Sequence, residues 1–226
     1  MIARLPSDGG CEGGREGGLD ARREAARAMV RQRFGHRIRA SEAFFDRHAS
    51  AVSACASAMA DRFFDGGTLI IFGSGLRATD AQHNSVEFVH PALPGCRALP
   101  ALSLTNDSAT VTGILLGEDR DAVFAHQLEV LGTRGDIALA FAEVPVSAAV
   151  RRGLDAAGRR GMLTIALLDG PDAGDLAADH VFEVEEPDPL VAQELHLATY
   201  HILWELVHIV LNHRGIGTTP PSGARR

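Results

Sequence analysis

Histidine and glutamate four residues apart open the chemistry of this chain. His83 and Glu87 fall on one face of any helix that carries them. Such a pair can chelate one divalent metal, one member can orient the other, or the two can simply form a surface contact. A second group lies more than a hundred residues on, in a stretch holding Gln193, Glu194, His196, His201, Glu205 and His208. Histidines at that density are unusual among Leu195, Ile202, Leu203, Leu206, Ile209 and Val210. Each is open to a bland reading, as a hydrogen-bonded core imidazole or a subunit contact. Gln193 and His201 are eight residues apart, roughly 12 Å along a helix axis, so spacing alone does not bring both to one ion.

Those residues need elements to position them. Residues 68–87 read as strand, glycine turn, helix. Residues 69–72 form an unbroken apolar run, as a parallel strand covered on both faces requires. Gly73 and Gly75 bracket Ser74 and allow a sharp turn with close ligand approach. The crevice at the carboxyl end of such a strand is where α/β folds bind ligands. Upstream, a helical pattern begins at Asp20 with a stripe of Ala25, Ala26, Met29 and Val30, and Gly35 is expected to interrupt it. A second helix is expected over 41–64, ended by Gly66 and Gly67. Further strands are expected at 98–104, 137–141, 163–167 and 180–184. Helices are expected at 120–131, 147–160 and 190–212, and Asp107 or Ser108 can cap another. Strands alternating with helices imply a parallel sheet with right-handed crossovers.

Composition narrows the class. The chain has 226 residues, 46% of them hydrophobic, and a net charge of −7. That suits one α/β domain and gives no basic excess for nucleic acid. The three cysteines, Cys11, Cys55 and Cys96, form no CxxC pair and no disulfide framework, which fits a reducing cytoplasm. No apolar run reaches the roughly 18 residues of a membrane span, and the first residues lack a signal-peptide core. Residues 1–19, rich in Gly, are expected to be a disordered leader, 20–214 a single domain, and 215–226 a flexible tail.

Two separated motifs resemble one family. Gly73-Ser74-Gly75 is followed by Asp80-Ala81-Gln82-His83-Asn84-Ser85-Val86-Glu87, and the last helix reads Gln193-Glu194-Leu195-His196 with His201 five residues on. From about residue 40 to 212 the chain is similar to the SIS (sugar isomerase) domain, and within it to the sedoheptulose-7-phosphate (phosphoheptose) isomerase group. The resemblance implies a five-stranded parallel sheet in a flavodoxin-like three-layer αβα arrangement, with an N-terminal helical extension. It implies zinc held by His83, Glu87, Gln193 and His201, with Glu87 and His201 as acid and base. It also implies a cytoplasmic homotetramer that takes a sugar or sugar phosphate and contacts neither nucleic acid nor membrane. Ser74, Arg77, Asp107, Ser108 and Ser147 are the substrate-contact candidates.

Departures from the family pattern cluster at one end of the expected site. After the third strand the family carries a Ser/Thr-rich phosphate loop, whereas this chain reads Ala142-Glu143-Val144-Pro145-Val146-Ser147. Pro145 lacks an N–H donor and Glu143 adds a negative charge. Arg77 replaces a serine of the first turn. It can receive an anion bidentately, pair with Glu143, or stand solvated. Leu190 stands where the family has an aspartate. Two functions follow from this mixture: a metal-dependent aldose–ketose isomerase, or a non-catalytic SIS scaffold that binds a carbohydrate or a protein, similar to the replication-initiator-associating proteins.

Overall fold

The computed structural model describes residues 15–91, 93–117, 119–171 and 174–215. Residues 1–14 of the expected leader and 216–226 of the expected tail lie outside the described residues. Five strands form one parallel sheet in the order β2-β1-β3-β4-β5. They are β1 (Leu69–Gly73), β2 (Ala101–Ser103), β3 (Ile137–Glu143), β4 (Leu163–Asp169) and β5 (His180–Val184). The helices are α1 (Arg15–Phe64), α2 (Leu76–Val89), α3 (Ser108–Leu115), α4 (Val123–Leu131), α5 (Ala148–Arg159) and α6 (Pro189–His213), with a short 3₁₀ turn at Arg120–Ala122. β1 lies between β2 and β3, pairing Leu69 with Ala101 and with Ile137. Every residue of β1 is buried, as its apolar run demands.

Two compact units divide the chain, residues 1–45 and residues 46–226. In the first, residues 19–34 of α1 are exposed, including Met29 and Val30 of the expected stripe. Gly35 does not interrupt the helix. A helical glycine costs only about 1 kcal/mol relative to alanine, and the nearby Gln32, Arg33 and Arg37 are good helix formers. In the second unit, Val52, Cys55, Ala56, Met59, Ala60 and Phe63 on α1 are buried. A core of Ile70, Phe72, Phe124, Leu128, Ala138, Ala140, Leu154 and Leu168 joins the sheet to α4 and α5. Asp136 fixes the amino ends of β1 and β3. Its carboxylate accepts from the amides of Thr68 and Thr133, each at 2.7 Å.

The carboxyl ends of the strands carry the turns that matter for function. Gly73 must be glycine, because a Cβ there would sit 2.8 Å from the Arg77 carbonyl and 2.9 Å from that of Phe141. Gly75 has φ +60°, which side-chain-bearing residues rarely adopt. Asp107 caps α3, accepting from the amides of Ala109 (3.0 Å) and Thr110 (3.2 Å). Ser147 caps α5 through the Val150 amide, and Asp188 caps α6 through that of Leu190.

Candidate metal centre and adjoining cavity

α2 and α6 converge so that His83, Glu87 and His201 present ligand atoms all within 4.8 Å of one another. His83 Nε2 lies 3.3 Å from Glu87 Oε1, and His201 Nε2 lies 3.8 Å from the same oxygen. The His201 Nε2 atom is buried and has no hydrogen-bond partner. Two ligands about 2.0–2.1 Å from one zinc at a tetrahedral angle stand roughly 3.3 Å apart. Two imidazoles and a carboxylate at this spacing, with one nitrogen orphaned, therefore fit a divalent zinc.

The supporting contacts come from residues that spacing did not single out. Tyr200 is buried, and its hydroxyl lies 2.5 Å from His83 Nδ1. With Nδ1–H donating to that oxygen, the Nε2 lone pair is left facing Glu87 and His201, the tautomer a metal ligand needs. Burial, followed by the charges of Asp80 and Glu87, raises the Tyr200 hydroxyl's pKa and keeps it neutral. Trp204 Nε1 donates to the Glu87 carbonyl at 3.1 Å and ties α6 to the last turn of α2. Gln193, the fourth expected ligand, donates from Nε2 to Asp80 Oδ1 at 2.9 Å, which turns its amide oxygen away from Asp80. Gln193, Asp80, His83 and Tyr200 line one cavity of about 410 Å³. Tyr200 carried one signal in the sequence: it is the chain's single tyrosine, and it precedes His201.

Two of the alternatives open for Arg77, a solvated side chain and a pair with Glu143, are overturned. Arg77 is 1% exposed, neither solvated nor bonded to Glu143. Its guanidinium donates to Asp80 Oδ2 at 2.7 Å and forms an ion pair with Asp169 at the end of β4. The arginine is buried because an acid one turn along its own helix and another from a neighbouring strand both reach it, which satisfies a charge that burial would otherwise penalise. Asp169 also faces His196, with Oδ1 3.0 Å from Nε2, though neither atom has a hydrogen-bonding alignment. Burial drives the His196 pKa down to about 3, with the Arg77 charge adding to it. Burial raises that of Asp169 to about 6 against the pull of Arg77. His196 and His208 are thus core imidazoles. Both nitrogens of His208 face carbonyls, those of Trp204 and Arg97.

A second cavity, of about 280 Å³, opens at the ends of β1 and β3. Ser74, Arg77, Glu143, Pro145 and Ser147 line it, so three of the expected substrate contacts do share one space. Asp107 is held by its capping role and also accepts from the Thr110 hydroxyl at 2.6 Å. Its neighbour Ser108 is the first residue of α3.

Comparison with known proteins identifies the family. The SIS domain family matches residues 34–169. The phosphoheptose isomerase of Thermodesulfovibrio yellowstonii is 33% identical over 183 residues, covering 80% of this chain and 91% of its own. That of Pelobacter propionicus is 38% identical over 160 residues, covering 69% and 83%. Among solved structures, the phosphoheptose isomerase from Neisseria gonorrhoeae superposes with a TM-score of 0.71 at 28% identity, over 80% of this chain and 98% of its own. On these matches this chain belongs to the SIS domain family, in its phosphoheptose isomerase-like group.

Proposed function

We propose that this chain is a zinc-dependent aldose–ketose isomerase acting on a sugar or sugar phosphate of the sedoheptulose 7-phosphate type. The observation that carries the reading is the convergence of His83, Glu87 and His201 from two helices far apart in sequence. His83, Glu87, Gln193 and His201 would hold the zinc. An ion held there would supply Lewis-acid polarisation of a substrate carbonyl. Aldose–ketose exchange moves one proton between adjacent carbons, so an acid and a base must flank the C1–C2 unit. Glu87 and His201, 3.8 Å apart, take those roles. Tyr200 fixes the His83 ring, and Asp80 fixes the Gln193 amide. By kinship the working form is a cytoplasmic homotetramer. Among the described residues no helix is long and apolar enough to cross a membrane.

A second reading, a non-catalytic sugar-binding or protein-binding scaffold, is favoured by Glu143 and Pro145 in the smaller cavity. One experiment separates the two. The purified protein is expected to carry one zinc per chain, to lose it and its turnover of sedoheptulose 7-phosphate or related ketoses to a chelator, and to regain both with added zinc. Protein that binds no zinc and stays inactive after zinc addition rejects the isomerase reading in favour of the scaffold.

A further inference from the structure

The smaller cavity has a charge balance that decides what can enter it. Arg77 is its one lining cation, and Asp80 and Asp169 already neutralise that guanidinium in the protein interior. Glu143 is exposed on the same lining and is paired in register with Asp169 on β4. Asp80 and Asp169 thus hold the guanidinium, and Glu143 adds a further carboxylate to the lining. Pro145 offers an incoming anion no N–H, and the Ser147 hydroxyl accepts from the Val150 amide of its own helix at 3.4 Å while keeping its own hydrogen to donate. Carboxylate oxygens and serine hydroxyls do accept hydrogen bonds from alcohols. The cavity adjoins the metal centre through Asp80, which holds Arg77 on one side and lines the larger cavity with His83 on the other.

We propose that this cavity receives the uncharged, hydroxyl-bearing end of an unphosphorylated sugar, and that Glu143 is the specificity-determining residue that admits hydroxyls and repels a phosphorylated end. The inference rests on the site being the sugar site of the proposed isomerase, but its test reads binding and turnover separately. Zinc-loaded full-length protein is titrated calorimetrically with sedoheptulose and with sedoheptulose 7-phosphate. The free sugar is expected to bind at least about tenfold more tightly, since a dianion beside an unneutralised carboxylate is disfavoured. Glu143→Gln keeps the volume and a hydrogen-bonding oxygen, and is expected to close that gap by about tenfold. Equal or tighter binding of the phosphate ester, an unchanged ratio in Glu143→Gln, or binding of neither sugar overturns the inference. Turnover of the phosphate ester at equal or greater kcat/KM overturns it too, while leaving the isomerase reading in place. Selective binding of free sugar with no turnover does the reverse.

Discussion

His196 has no exposed surface and stands against Asp169 and the Phe141 ring. Its role is structural, and pH reveals it. The native imidazole stays neutral down to about pH 3, whereas in the unfolded chain it takes a proton near its ordinary value of 6.5. Between those limits the unfolded state binds more protons, so acid favours unfolding, by up to about 1.4 kcal/mol per pH unit. Asp169 works in the opposite sense. Its native pKa of about 6 exceeds its ordinary 3.8, so its contribution is fully present below 3.8 and lost as pH rises through 6. His196→Gln isolates the first effect. The stability difference between wild type and variant, from urea midpoints, should shrink by about 1 kcal/mol per pH unit as pH falls from 6.5 towards 4. A difference that does not change with pH would mean that His196 is charged in the native state.

At the level of elements, the site depends on how α6 is clamped to α2. The Glu87 carbonyl lies in the last turn of α2, where helical carbonyls lack internal partners, and the indole N–H of Trp204 satisfies it. Trp204→Phe removes that donor and leaves a small void, an expected loss of about 1–3 kcal/mol. Because Glu87 belongs to the cluster, zinc should also be retained less tightly. Circular dichroism melts and zinc release to a competing chelator measure the two effects, and loss of stability with unchanged zinc retention would uncouple clamp from centre. Most elements were legible in the sequence. Unbroken apolar runs marked β1, β3 and β4, and glycines or capping acids marked helix ends. The pairing of α2 with α6 was legible only through family resemblance, since no local pattern tells two helices a hundred residues apart that they meet. The burial of Arg77 was hidden for the same reason. Its partner Asp80 is close in sequence, but Asp169 is 92 positions away, and an arginine after a glycine turn reads as solvated until the fold supplies a second acid. Gly35 was misread because a single glycine's small penalty is outweighed by the good helix formers around it.

The whole molecule separates its chemistry from its leading segment. The family match begins at residue 34 and ends at 169, and every candidate ligand lies in the unit from Asp46 onward. Residues 19–34 are exposed along α1, and neither Met29 nor Val30 joins the core. A unit with its own buried sheet and its own polar network needs no added segment for stability. Removing residues 1–33 should therefore leave the zinc stoichiometry unchanged and lower Tm by no more than about 3 °C, the effect of roughly 1 kcal/mol in a domain of this size. The proposed tetramer sets a second reading on the same samples. Light scattering should give four times the 24.0 kDa chain mass for the full protein, and four chains again after trimming. A trimmed protein that keeps its zinc but falls to dimers would show that the exposed stretch of α1, with Val30 and Phe34 on its surface, serves assembly. One that loses zinc as well would show that the extension completes the metal centre, so that chemistry and leading segment are not separate.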